Sequence, residues 1–200
     1  MDKFSFFFAF YGLILGLAAT ELLSGFAGFV RARALRRLEP QTAMLALFTF
    51  LAICATWLDA WESLRRVTLD FAGLAAPILV ATNYYLAATV VFPKEAADYD
   101  RMADYYAERK RFVVVVLLAN EFLVNWTFWP VFQANLEHHP MVFWLYSVPY
   151  NTAIKAALLA LLLVRGRRAN LAIMAALILL FVLPYWENGA VSAAIIRRFG

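Results

Sequence analysis

Glu21, Glu121 and Lys155 stand deep inside apolar runs of this 200-residue chain, with Asn83, Asn120, Asn125 and Asn151 as uncharged company. A charge at the centre of a membrane helix costs about 2.5–3.5 kcal/mol on insertion scales, so such residues face the bundle interior and find partners. Glu121 and Asn125 are four residues apart, as are Asn151 and Lys155, which puts each pair on one face of its helix. The spacing predicts a helical hairpin in which Glu121 pairs with Lys155 and Asn125 with Asn151. Glu21 is then a surplus carboxylate, which must be protonated or matched by a cation. Pro149 lies just outside this level and frees the carbonyl of Leu145, giving a kink or a cation-coordinating oxygen. A neutral Glu121–Lys155 pair locks packing, whereas a surplus acid makes a proton- or cation-linked site.

Asp59, Glu62 and Asp70 form a second acidic group near one end of the runs. They read as a cation-attracting vestibule, or partly as a surface pair of Glu62 with Arg66. Gly12, Gly16, Thr20, Ser24 and Gly28 recur every four residues. A small-residue stripe lets another helix approach closely, so it is expected to be buried against a helix of this chain or of a partner. No cofactor or metal is expected. His138 and His139 are adjacent and lack further ligands, no histidine lies within a span to hold a haem, and Cys54 is the single cysteine. HExxH, GxSxG, P-loop and GxGxxG patterns are absent, so an enzyme is not expected.

The elements that position these groups follow from composition. Hydrophobic residues make up 64% of the chain and charged residues 16%, against about 25% charged in soluble domains. A soluble fold of this size has too little interior for so much apolar surface. A bilayer core needs roughly 20 apolar residues as helix, and six runs qualify: 4–30, 43–58 with an extension to 64, 71–92, 112–132, 141–164 and 171–186. They are continuous rather than alternating, which excludes a barrel. The first is too long for a signal peptide and is followed by Arg31, Arg33, Arg36 and Arg37. Helical rise then places Glu21, Asn83, Glu121 and Lys155 within roughly 6 Å of the membrane centre.

Of the 18 Lys and Arg residues, 12 fall in the segments after the first, third and fifth runs and five in the others. That bias predicts both termini outside, in a plasma or inner membrane. The net charge of +4 follows this topology and does not point to nucleic acid. Trp57, Trp61, Trp126, Trp129, Trp144 and Trp186 all fall toward the outer side, as an aromatic belt requires. Segment 94–111 reads as an amphipathic extension of the fourth helix, and 190–196 as an interfacial tail.

The halves 1–100 and 101–200 align at an offset of 100, placing Ala19–Leu23 over Ala119–Leu123. Three helices per half implies an inverted repeat. The expected architecture is an all-α polytopic membrane bundle of six spans in one domain. The expected function is a small transporter or channel for protons, cations or a small solute. The alternative is a non-catalytic membrane subunit or scaffold. The expected partners are the lipid bilayer and a second copy or another membrane protein.

Overall fold

The computed structural model describes residues 3–66, 71–186 and 189–199. Asp70 and the side chain of Glu62 lie outside the described residues. The chain is an all-α bundle. Its helices are α1 (Lys3–Arg31), α2 (Pro40–Ser63), α3 (Phe71–Val91), α4 (Met102–Thr127), α5 (Trp129–His138), α6 (Pro140–Leu163), α7 (Arg167–Trp186) and α8 (Ala190–Phe199). Five of them (α1, α2, α3, α6 and α7) are long and apolar enough to cross a membrane. The α4–α5 pair supplies a sixth crossing when counted as one bent span.

The helix ends have local causes. Arg33 takes φ 52°, and Ala34 N–H reaches the Phe29 carbonyl at 2.9 Å. That left-handed residue and six-to-one bond stop α1 in a Schellman turn. Pro40 opens α2 at a position where its missing N–H costs nothing. The fourth run, expected to stay helical to 132, ends at Thr127, and the chain bends by 62° into α5. Pro130 is the reason, because it fits the first turn of a new helix but not the interior of an old one. In α6, residues Phe143–Ser147 form a π-helical turn, with Val148 N–H bonding to the Phe143 carbonyl five residues back. The wide turn absorbs the bond that Pro149 removes, where the sequence pointed to a kink or a bare carbonyl.

The basic loops meet at one end of the bundle. Arg37 bonds Asp100 at 2.8 Å and Arg167 bonds Glu39 at 3.0 Å, tying three inter-helix segments together. The tryptophans lie toward the other end, and all six are exposed, Trp126 at 77% and Trp186 at 83%. Exposed Phe6, Leu13, Leu17, Leu163 and Leu179 add an apolar outer surface suited to lipid.

Packing centres on α3, which lies between α1 and α4. Ala81, Ala87 and Ala88 of α3 are buried, as is Ala18 of α1, and these small side chains set the close approach. The buried face of α1 is Phe7, Tyr11, Leu15, Ala18, Leu22 and Phe29. Helix α2 packs on α7, where Phe48 meets Phe181 edge-on at 5.0 Å, and α6 closes the ring between α4 and α7.

The small-residue stripe is not the buried face of α1. Gly16, Thr20 and Ser24 are exposed, and Gly12 and Gly28 are half-buried. The core needs bulk to fill it, so the aromatic and leucine face turns inward. The tightest glycine within the chain is Gly25, which the stripe leaves out, while Gly12 and Gly28 of the stripe face Trp57 and Tyr99. A Cβ there would stand 2.6 Å from the buried Phe92 ring, whereas one at Gly16 would meet nothing within 4 Å. Gly25→Ala is expected to lower stability by about 1–3 kcal/mol. Gly16→Leu is expected to leave the melting temperature of the monomeric protein unchanged. Thermal melts in detergent check both.

Candidate functional site

Five helices turn polar side chains into one region of the bundle. From α2 come Thr56 and Asp59, from α3 Asn83 and Tyr84, from α4 Asn120 and Glu121, from α6 Tyr150 and Lys155, and from α7 Tyr185. Thr56 Oγ1 and the Tyr84 hydroxyl are 3.1 Å apart, both buried. The Tyr185 hydroxyl donates to Asp59 Oδ2 at 3.1 Å. Asn83 Nδ2 donates to Asn120 Oδ1 at 3.0 Å, and Asn120 Nδ2 to the Val80 carbonyl at 3.1 Å. The π turn of α6 precedes Tyr150, which stacks on Tyr146 at 5.9 Å. Tyr84 and Tyr150 each lie within electrostatic reach of both Glu121 and Asp59. Tyr11 of α1 feels Asp59 as well.

The expected polar layer is partly assembled. Glu121 and Lys155 sit on adjacent helices and interact electrostatically, but they form no ion pair within 4.0 Å. Lys155 Nζ donates to the Asn151 carbonyl at 3.4 Å and lies 5.7 Å from the centre of the Phe122 ring. Asn151 donates to the Ser147 carbonyl at 2.9 Å, so the expected bond to Asn125 does not form. Both α6 side chains satisfy themselves on their own helix, the cheaper solution when the facing carboxylate is not in contact. Asn83, by contrast, joins the layer through Asn120.

Glu21 leaves the layer. It lies in a separate cleft between α1 and α3, with Lys94 Nζ 4.0 Å away. The expectation of no basic partner fails because Lys94, three residues beyond α3, reaches back along the membrane normal. Asp59, read from the sequence as part of an acidic mouth, is exposed, and it accepts from the hydroxyl of Tyr185, itself exposed. Deeper in the bundle, Tyr84 and Tyr150 feel the charge of Asp59 without a hydrogen bond to it. Lys155 and Glu121 feel one another's charge, whereas Asp59 has no ion-pair partner within 4.0 Å among the described residues.

Sequence reasoning missed the tyrosines and Lys110. The signal for the tyrosines was present: Tyr146 and Tyr150 are four apart on α6, and Tyr84 adjoins Asn83. Lys110 is 6% exposed and donates to the Val164 carbonyl at 2.6 Å and to Asn170 Oδ1 at 3.0 Å. Its signal is position, on the buried stripe Met102, Tyr106, Lys110, Val113 and Leu117 of α4.

Chemically, carboxylates beside tyrosine hydroxyls, as Asp59 is beside Tyr185, can take up a proton or hold a cation. Hydroxyls donate to the charged acid or accept from the protonated one, and aromatic faces tolerate positive charge. Glu121, Tyr150, Asn151 and Lys155 are half-buried rather than sealed, although each lies well within its helix. No protein-family model, curated protein or solved structure matches this chain, so its placement rests on the helical membrane bundle and this polar interior.

Proposed function

We propose that this protein is a small transporter or channel of a cell membrane, moving protons, cations or a small solute through its tyrosine-lined interior, without enzymatic chemistry. In this reading both termini are external and the basic loops cytoplasmic. Asp59 attracts the cation at the outer end, and Glu121 is the carrier deeper in the bundle. Tyr84 and Tyr150 bridge the two carboxylates. The observation that carries the reading is that neither Glu121 in the bundle nor Asp59 at its end has an ion-pair partner within 4.0 Å among the described residues. An intramembrane acid left in that state marks an ion or proton path. Wild-type protein reconstituted with an internal pH dye should dissipate an imposed proton or cation gradient faster than protein-free vesicles. Equal rates under every common cation gradient overturn the proposal.

A specific observation also favours the scaffold reading. The Asn83–Asn120–Val80 bonds are satisfied within the protein and bind α3 to α4. Exposed Gly16 and Thr20 offer a second copy or a partner membrane protein a surface for close approach. On that reading flux is absent, and chemical cross-linking in the membrane captures a partner on α1.

A further inference from the structure

A cleft of about 330 Å³ opens between the last turns of α1 and α3, at the end of the bundle that carries the basic loops. Glu21, Ser24 and Arg31 line it from α1, and Thr89, Lys94 and Tyr99 from the opposite wall. Tyr99 is 7% exposed and stacked on Phe29 at 4.1 Å between ring centres. Its hydroxyl ends in the cleft against Gly28, and no protein acceptor takes its proton among the described residues. A Cβ at Gly28 would stand 2.7 Å from that oxygen, so the glycine makes room for the hydroxyl in the cleft. A buried tyrosine normally finds a partner for its O–H. The Tyr99 hydroxyl is open to the cleft instead, and is a donor available to a ligand there.

The charges name the ligand class. Arg31 and Lys94 bring two cations against the single carboxylate of Glu21. The Lys94–Glu21 distance of 4.0 Å is the limit of an ion pair, and the Lys94 side chain is mostly exposed. The carboxylate therefore steadies the ammonium over the cleft and leaves donors unspent. Depth narrows the class further. Arg31 ends α1, and Lys94 lies three residues past the end of α3, which is the level of lipid headgroups. Below them the cleft narrows at Gly25 and Ala88 and ends at Glu21, and the exposed face of α1 continues beside it through Thr20 and Gly16. Basic pockets between membrane helices on the cytoplasmic side suit anionic headgroups.

We propose that this cleft binds the phosphate of an anionic phospholipid, held by Arg31, Lys94 and the Tyr99 hydroxyl, with its acyl chains along the exposed face of α1. The site is independent of the transport reading. The test uses the full-length protein in detergent, melted with added phosphatidylglycerol, phosphatidylcholine or inorganic phosphate. Phosphatidylglycerol should raise the melting temperature saturably, and the other two should not at equal concentration. Lys94→Gln and the isosteric Tyr99→Phe should each weaken half-saturation by about five-fold, the loss of roughly one hydrogen bond. Arg36→Gln, which removes an exposed base of the same face outside the cleft, should leave it unchanged. Equal stabilisation by phosphatidylcholine overturns the headgroup assignment, and equal stabilisation by inorganic phosphate makes the site one for free anions instead of lipid. If Lys94→Gln folds poorly, Tyr99→Phe alone decides, and wild-type half-saturation in that variant sinks the proposal.

Discussion

Vesicles carrying Glu121→Gln should lose about nine-tenths or more of the wild-type proton or cation flux, while the purified protein melts within about 1 kcal/mol of wild type. Glutamine copies the shape and hydrogen bonding of a protonated glutamate, so the interior around Tyr84 and Tyr150 keeps its packing. What it removes is the ability to release and retake a proton, or to balance a cation. The small stability change follows from the observed geometry. Were Glu121 and Lys155 a direct buried ion pair, stranding the lysine would cost about 3–5 kcal/mol. Instead Lys155 already bonds the Asn151 carbonyl at 3.4 Å, lies 5.7 Å from the Phe122 ring centre, and makes no ion pair within 4.0 Å. Glu21→Gln is the control, because Glu21 lies in the other cleft with Lys94. Its flux should equal wild type. Unchanged flux in Glu121→Gln removes the carrier role. A collapsed melt in the same variant shifts the residue to packing and supports the scaffold reading.

Lys110→Met should be the most destabilising of the single substitutions considered, by about 3 kcal/mol, or roughly 5–10 °C in a thermal melt. Lys110 is buried, yet no ion pair within 4.0 Å satisfies it among the described residues. Its ammonium stands at the C-terminal end of α6, where the Val164 carbonyl accepts at 2.6 Å. A cation there is favoured by the partial negative charge of the helix end. Asn170 of α7 completes the shell. It accepts from Lys110 at 3.0 Å and from Tyr106 at 3.4 Å, while its amide donates to the Gly166 carbonyl at 2.9 Å. One lysine thus ties α4, α6 and α7 together. Methionine matches its length and removes only the charged donors, leaving Val164 with the longer 3.4 Å bond from Asn170. A melting temperature within about 1 °C of wild type would show that the ammonium's own desolvation cost cancels its bonds.

Much of this architecture was legible before any coordinates. Continuous apolar runs fix membrane helices because a bilayer offers backbone groups no alternative partner. The extension of the second run to 63 was likewise readable from composition, whereas the tail read only as interfacial forms a helix, Ala190–Phe199. The run from 112 to 132 was misread at its end, because hydropathy weighs Trp129 and Phe132 as membrane-embedded and is blind to the steric demand of Pro130. The stripe on α1 is not the buried face within this chain for a related reason. Regular spacing of Gly12, Gly16, Thr20, Ser24 and Gly28 says that a helix can approach there, but not that one does.

The candidate site was legible in its ingredients and not in its pairings. The sequence by itself determined that an all-α membrane bundle must place Glu121, Lys155, Asn83 and Asn120 in its interior, since charge and amide are too costly to face hydrocarbon. It also determined that the basic segments gather at one end. Only the tertiary structure decided that Glu21 meets Lys94 in an α1–α3 cleft and that Asp59 takes the hydroxyl of Tyr185 from α7. The same holds for Lys110, which caps α6 instead of facing water. Depth along a helix follows from residue number at 1.5 Å per step. Rotation about the axis and the choice of neighbour depend on how every helix packs at once, and no local stretch of residues contains that information.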